Sequence, residues 1–240
     1  FGSEELERIQ QQQQIRPPTV NTLKVGICLM AALLLCGCNP LMSASLNNLK
    51  SAVIGPDEVD VTPAQVAEVN YPQLKLTTPS GSGVLALVRE REDLQFWVAS
   101  GKQVLLLRDG LAVRSIGLGL EGDLDGTRLA DDSPFKSGLH QVADGFTSRR
   151  WIDLYKGQEV GVIVNSRFSR RSTQTLEILD KEYTVLRVDE QIDAPAIGLR
   201  ATNHYWVDPR DGFILQSEQQ LTSQLRVKVV QLTPDRRHLP

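Results

Sequence analysis

The sequence predicts an all-β protein whose strands are mainly antiparallel and follow one another as a meander. From Leu74 onward, short runs rich in β-branched and aromatic residues alternate with turn residues. Several connections are too short to join parallel strands, such as Asp109-Gly110 and the loop that contains Pro209 and Gly212. So many strands in one open sheet would curl. We therefore expect a partly closed barrel or half-barrel, with short N-terminal helices.

Two short helices are expected before the strands. The first lies within residues 43–55, where Leu46, Leu49 and Val53 share one face. The second has Thr62 as its cap, Pro63 in its first turn and Ala64–Val69 as its body. Strand composition then predicts strands at 73–78, 84–90, 94–99, 103–108, 111–116, 138–143, 150–155, 159–168, 174–180, 182–190, 198–207, 213–221 and 224–232.

An apolar run at Val25–Gly37 precedes Cys38 and has the length of a signal-peptide core rather than of a transmembrane helix. Gly37 directly before Cys38, with Leu35 three positions upstream, resembles the lipobox of bacterial lipoproteins. In that class a diacylglycerol is attached to the cysteine thiol and the chain is cut before it. Cys38 is therefore the predicted lipidation site. The alternative is a retained anchor in which the cysteines are packing residues.

These features divide the chain into four segments. We interpret 1–19, with its glutamine tract and no initiator Met, as an upstream extension that results from a misplaced start, with translation actually beginning at Val20. Residues 20–37 are the lipoprotein signal peptide, 38–72 hold the lipid anchor, linker and short helices, and 73–240 form the β domain. Asn39, in place of the Asp that retains lipoproteins at the inner membrane, predicts the periplasmic face of the outer membrane, where acyl chains hold the protein on membrane lipid.

The composition argues against a nucleic-acid partner, because 26 basic residues face 29 acidic ones and the net charge is −3. No cofactor is predicted. The Gly-rich stretch at 117–122 fits a dinucleotide motif, but an acidic, turn-rich segment follows where that site needs a helix.

The same acidic segment gives a weak calcium candidate. Glu121, Asp123, Asp125 and Asp132 fall at ligand positions of an EF-hand-like frame. Arg128 stands where that frame is usually apolar, and Pro134 disfavours an exiting helix. A solvated acidic loop is therefore the favoured interpretation.

Two basic segments are candidates for polysaccharide binding. The two-residue period of a strand places Arg149, Trp151, Asp153 and Tyr155 on one face. There an aromatic ring could stack on a sugar while the charges bind hydroxyls. The structural alternative is an Arg–Asp pair beside a half-buried Trp.

The second segment brings together Arg167, Arg170 and Arg171, which suit an anionic polysaccharide or a lipid phosphate. A solvated strand end and loop is the alternative. A polysaccharide-trimming enzyme would instead need two carboxylates about 5 to 9 Å apart. Asp153 and Asp208 are the first pair to consider for that role.

Three stretches together resemble the YjbF/GfcB family of outer-membrane lipoproteins, which are encoded with group 4 capsule and related exopolysaccharide genes. They are GPDEVDVTPAQVAEVNYPQLKL, SIGLGLE, and NHYWVDPRDGFILQSEQQL with Trp206, Asp208, Gly212 and Ser217. The resemblance implies a non-enzymatic accessory in polysaccharide secretion or assembly, with no assigned catalytic residues. Its partners would be an anionic polysaccharide or other exopolysaccharide-export proteins. The alternative is a lipid or lipoprotein carrier that uses a half-barrel cavity.

Overall fold

A computed structural model describes residues 59–234, and these contain twelve strands and two short helices. The predicted all-β class is confirmed. The strands are β1 (Gln73–Thr78), β2 (Gly81–Arg91), β3 (Leu94–Val98), β4 (Val104–Arg108), β5 (Leu111–Ile116), β6 (Leu124–Leu129), β7 (Thr147–Leu154), β8 (Glu159–Ile178), β9 (Lys181–Ala194), β10 (Leu199–Val207), β11 (Ile214–Gln220) and β12 (Arg226–Gln231).

All twelve strands form one antiparallel sheet in the order β5-β4-β3-β2-β1-β12-β11-β10-β9-β8-β7-β6. The edge strands β5 and β6 lie close together. Arg114 Nη2 on β5 is 2.7 Å from Asp125 Oδ1 on β6, and the Leu124 N–H donates to Ser115 Oγ at 3.0 Å. The sheet is therefore nearly closed and barrel-shaped, as so large a meander predicts.

Alternate residues of each strand point towards the inside of the barrel-shaped sheet and fill it. Along β8, Val162, Val164 and Phe168 are buried while Ile163, Asn165 and Arg167 are exposed. Buried leucines from β1, β2, β4 and β5 meet this row from the other half of the sheet. Burial of each large apolar side chain contributes roughly 1.5–3 kcal/mol, so this filled interior is the main source of stability.

A short helix, α1 (Pro63–Ala67), covers part of the outer face. The Thr62 hydroxyl accepts from the Gln65 N–H, and the Gln65 side chain accepts from the Thr62 N–H, which makes a capping box. Val66 packs in a cluster with Trp206 and Leu215. The second predicted helix is confirmed, although it ends at Ala67. The first predicted helix and Cys38 lie outside the described residues, as do the upstream extension and signal peptide.

The predicted strands differ from the structure at three places. The segment 138–143 is not a strand, because a 3-10 turn at Leu139–Gln141 occupies it. This turn follows α2 (Pro134–Ser137), and the two place Leu139 and Phe135 in the core. Strand β6 was not predicted, since its acidic, glycine-containing sequence resembles a loop. The segments 159–168 and 174–180 belong to one strand, β8, which accommodates the intervening polar residues with a bulge between Arg170 and Thr173.

Candidate functional site

The outer face of β7–β10 carries an open groove of about 1030 Å³. Each of the four strands contributes polar side chains to it. They include Arg149 and Trp151 from β7, Asn165 and Arg167 from β8, Gln191 and Asp193 from β9, and Arg200 and Thr202 from β10, with Asp132 from the loop after β6.

Strand register explains why these side chains lie together. One cross-strand row runs through Arg149, Asn165, Asp193 and Arg200. The next row runs through Thr147, Arg167, Gln191 and Thr202. Members of a row share one face of the sheet, so the polar positions of four amphipathic strands form one continuous surface.

Among the residues that the structure describes, two of the three groove arginines have no partner. Arg200 Nε is 2.9 Å from Asp193 Oδ1, so that pair is neutralised locally. Within residues 59–234, by contrast, Arg149 and Arg167 make no side-chain hydrogen bond or ion pair. They are diagonal neighbours on adjacent strands, since Arg149 lies opposite Asn165 and Arg167 follows two residues later. Two unpaired guanidinium groups close together favour a ligand with carboxylate or phosphate groups.

Trp151 lies beside these arginines and is partly buried. It pairs across the sheet with Arg128 on β6 and Ile163 on β8. The Arg128 guanidinium carbon is 5.8 Å from the centre of the indole ring, within the range of a cation–π contact. The indole is thus held against the sheet beside the groove arginines.

Asp153 and Tyr155 do not line the groove. A bulge between Ile152 and Leu154 includes Asp153 and interrupts the alternation of β7 there. Asp153 Oδ1 accepts a hydrogen bond from the Gly161 N–H at 2.6 Å. Tyr155 follows the end of β7 and is exposed. Of the four residues predicted to share one face of this strand, Arg149 and Trp151 therefore line the groove, and Asp153 and Tyr155 do not.

Arg170 and Arg171 also lie outside the groove, and each has an internal partner. Arg170 Nη1 donates to the carbonyls of His140 at 2.6 Å and Val142 at 3.3 Å, which fastens the 3-10 turn to β8. Arg171 Nε is 2.8 Å from Asp189 Oδ2.

Asp189 is surrounded by cationic and polar donors on the same outer face. Burial alone would raise the pKa of Asp189, but hydrogen bonds from Arg171, His204 and Arg187 outweigh it and lower the pKa. Arg187 also lies over the Trp206 ring, 5.6 Å from its centre. This cluster is internally satisfied.

The four calcium candidates are not brought together. Asp123 accepts from the Ser115 hydroxyl at 2.7 Å and from three successive backbone N–H groups at 117–119. Asp125 pairs with Arg114, Glu121 pairs with Lys156, and Asp132 lies at the groove. Among residues 59–234, no group of three or more His, Cys, Asp or Glu is arranged to hold a metal ion.

The carboxylates of Asp153 and Asp208 cannot serve as a glycosidase pair. Ile152, which precedes Asp153, lies opposite Val162 of β8. Val207, which precedes Asp208, pairs with Leu186 of β9, and Leu186 in turn pairs with Thr173 of β8. The residues of β8 between these positions span roughly 36 Å at about 3.3 Å per residue. That separation far exceeds the 5 to 9 Å range, and Asp208 pairs with Arg210 instead.

A buried polar network that was not predicted from the sequence lies inside the sheet. Glu190 is fully buried and accepts hydrogen bonds from Arg150, Ser166 Oγ at 2.6 Å, Asn203 Nδ2 at 2.9 Å and the Tyr205 hydroxyl at 2.9 Å. Burial would raise the pKa of Glu190, but Arg150 and the hydrogen bonds outweigh it and lower the pKa. Burial and the nearby Glu190 raise the pKa of Tyr205 well above its usual value.

The alternation of inward and outward residues along the strands could have predicted this network, because it places charged residues on the inward face. Arg150 shares the inward face with Ile152, and Glu190 lies between Val188 and Ile192 on the same face of β9. The adjoining internal cavity has a volume of only about 10 Å³, about the least that one water molecule needs. The network therefore stabilises the interior and offers no room for a ligand.

Comparisons with known proteins agree with the fold. Residues 46–233 match the family described as "Group 4 capsule polysaccharide lipoprotein gfcB, YjbF". The crystal structure of the lipoprotein YmcC from Escherichia coli K12 is similar, with 18% identity over 78% of this chain and 94% of that chain and a TM-score of 0.65. No curated protein matches the chain.

Two further structures show weaker likeness. An exported protein with a YmcC-like fold from Bacteroides fragilis is 11% identical over 68% of this chain and 95% of that chain, with a TM-score of 0.29. A lipoprotein from Parabacteroides distasonis is 11% identical over 67% and 92%, with a TM-score of 0.31. In residues 59–234, no helix has the length and apolar character that spanning a bilayer requires.

Proposed function

The chain belongs to the YjbF family of group 4 capsule polysaccharide lipoproteins, and we propose that it assists secretion or assembly of an extracellular polysaccharide by binding the polymer without catalysing a reaction. The binding surface in this proposal is the groove on the outer face of β7–β10. The family match supplies the polysaccharide context, and the groove supplies a site with suitable chemistry.

The observation that carries the proposal is that Arg149 and Arg167 are neighbours on adjacent strands and lie beside Trp151. Each guanidinium presents a planar set of donors that fits a carboxylate in two-point geometry. The indole offers an apolar surface for a sugar ring. Amide and hydroxyl groups of Asn165, Gln191 and Thr202 add partners for sugar hydroxyls along the same face.

This chemistry favours an acidic polysaccharide over a neutral one. The groove holds three arginines and two aspartates, and Asp193 already neutralises Arg200. The remaining positive charge is concentrated on Arg149 and Arg167. Binding should therefore weaken as salt screens the charges.

The location in this proposal is the periplasmic face of the outer membrane, with a lipid on Cys38 as the anchor. Membership of a lipoprotein family and the lipobox-like sequence before Cys38 support it. The acyl chains would hold the groove close to the membrane across which the polymer must pass.

The carrier alternative has less support. A lipid carrier needs an apolar cavity of a few hundred Å³. In the described residues, core side chains fill the concave side of the sheet, and the cavity beside the buried network measures about 10 Å³. The sheet thus offers its outer groove rather than its interior.

Calorimetric titration of the purified protein with alginate, a polymer of uronic acids, tests the binding step, with neutral dextran as the comparison polymer. We expect alginate to bind and the Arg149→Ala/Arg167→Ala variant to lose at least about tenfold in affinity, because charge-assisted hydrogen bonds contribute roughly 1.5–3 kcal/mol each. Arg89→Ala/Arg91→Ala is the matched control, since both residues are exposed on β2. Equal affinity of the groove variant and this control would contradict the proposal.

A further inference from the structure

One end of the sheet displays apolar side chains to solvent. Among large hydrophobic residues in 59–234, the three most exposed are Leu120 at 87%, Val160 at 79% and Tyr155 at 75%. Leu120 lies in the β5–β6 loop, Tyr155 follows β7, and Val160 is the second residue of β8. All three therefore lie at the same end of neighbouring strands.

Contacts between the loops show that this end is a single surface. Glu121 and Lys156 form an ion pair that joins the β5–β6 loop to the β7–β8 turn. The Tyr155 N–H donates to the Asp123 carbonyl at 3.3 Å. A shallow pocket also brings Leu120 beside Pro79 in the β1–β2 turn and Gln224 in the β11–β12 turn.

The loop that carries Leu120 is ordered by its own hydrogen bonds. The Asp123 carboxylate accepts from the backbone N–H groups of Gly117, Leu118 and Gly119 at 2.7 to 3.2 Å. Leu118 is buried in the core, whereas Leu120 is directed outward. A fixed loop that exposes its leucine gives up the burial energy of that side chain, which is typical of a surface that contacts an apolar phase.

Val59, the first residue that the structure describes, lies at this same end. The Val59 N–H donates to Ser82 Oγ at 2.5 Å, and Ser82 lies next to the β1–β2 turn. Cys38 precedes Val59 by residues 39–58, which span at most roughly 70 Å when fully extended. This linker is long enough for a lipid on Cys38 to sit in a membrane that contacts Leu120, Tyr155 and Val160.

We propose that this end of the sheet is a membrane-contacting surface, on which Leu120, Tyr155 and Val160 enter the interfacial region of the bilayer that holds the N-terminal lipid. The contact is apolar rather than electrostatic, because Lys156 is already paired with Glu121. Tyrosine suits this position, since its ring is apolar and its hydroxyl reaches the headgroup region. The tether would keep even a weak contact at high effective concentration.

The first test uses the predicted mature chain, residues 38–240, with Cys38→Ser, so that neither the lipid nor the apolar segment at 25–37 contributes to binding. Co-flotation with vesicles of phosphatidylethanolamine and phosphatidylglycerol gives the partition coefficient. We expect measurable association, and a loss of at least roughly tenfold when Leu120→Ser, Tyr155→Ser and Val160→Ser are added. Tyr71→Ser with Val88→Ser is the matched control, since both side chains are exposed away from this end of the sheet, Tyr71 just before β1 and Val88 on β2, and it should bind like its parent.

A second measurement uses the acylated protein. In Tyr155→Trp, the new indole should be quenched by brominated lipid in the vesicles, whereas the indole of Tyr71→Trp should not. Absence of vesicle association by the Cys38→Ser protein, equal association of the triple variant and its parent, or equal quenching at the two positions would each overturn the proposal. Such a result would leave the loops as a surface for a protein partner.

Discussion

Breaking the buried Arg150–Glu190 pair should destabilise the protein far more than breaking an exposed one. In Glu190→Gln the Arg150 charge stays buried without its counter-charge, and the amide cannot accept all four hydrogen bonds that the carboxylate accepts. Breaking such a pair from one side costs about 3–5 kcal/mol. That is a large part of the 5–15 kcal/mol typical of a folded protein.

The two single variants should differ. In Arg150→Met the carboxylate keeps Ser166, Asn203 and Tyr205 as donors, so we expect a smaller loss of about 2–3 kcal/mol. The double variant Arg150→Met/Glu190→Gln removes both charges and should lose only about 1–2 kcal/mol, less than either single variant. The coupling energy of this cycle should therefore exceed about 3 kcal/mol.

The pH dependence gives a second check. In the native protein the pKa of Glu190 is lowered, so its contribution to stability is present above the unfolded value of 4.5 and is lost as the pH falls through the folded value. Without Arg150, burial dominates and the pKa should rise above the unfolded value. The difference in unfolding free energy between the native protein and Arg150→Met should therefore be smaller at pH 5 than at pH 7.

Urea unfolding followed by far-ultraviolet circular dichroism and tryptophan fluorescence measures these free energies. The exposed Arg114–Asp125 pair is the matched control, and its cycle of Arg114→Met and Asp125→Asn should give a coupling below about 1 kcal/mol. Additive costs at positions 150 and 190, or a coupling no larger than that of the control, would refute the reasoning.

Three further predictions concern turns at the two ends of the sheet. Burial and the nearby Asp93 raise the pKa of Asp109 to about 6, so its charge opposes folding above that pH; Asp109→Asn should raise the melting temperature at pH 8 but not at pH 4. Solvent at the exposed turn limits this gain to less than about 1 kcal/mol, and an equal shift at both pH values would contradict it. Gly110 has φ +75°, and a Cβ there would lie 2.6 Å from Ile214 Cδ1. Gly110→Ala should therefore lower the free energy of unfolding in urea by about 1–3 kcal/mol, and an unchanged value would contradict this expectation. Because the Asp123 carboxylate already accepts hydrogen bonds from the Ser115 hydroxyl and the Gly117 N–H, millimolar Ca²⁺ should leave the melting temperature unchanged. A calcium-dependent rise in the melting temperature that Asp123→Asn abolished would instead show a calcium site.

The strands with clear alternation could be predicted from the sequence, and β6 could not. Asp125 and Gly126 of β6 have low intrinsic strand preference. The strand forms because Leu124 is buried in the core and because β6 pairs with β7 at the closing edge of the sheet. Both causes are contacts distant in sequence, which a local pattern does not contain.

The groove could be predicted only in part, for a related reason. Arg149 and Trp151 share a face by simple alternation, and Arg167 continues the same pattern on β8. Asp193 and Arg200 join them only through the register of β8, β9 and β10. Register depends on the positions of bulges and on the fit of the whole core, so a single strand does not determine which residues become neighbours.

The most direct test of the central claim measures surface polysaccharide in cells that lack this gene and carry either the native protein or the Arg149→Ala/Arg167→Ala variant. Immunoblots of membrane fractions should first show equal amounts of the two proteins. We predict that the native protein restores surface polymer and that the groove variant leaves it near the level of the deletion strain. Full restoration by the groove variant, or unchanged polymer in the deletion strain itself, would contradict a role for the groove in polysaccharide export.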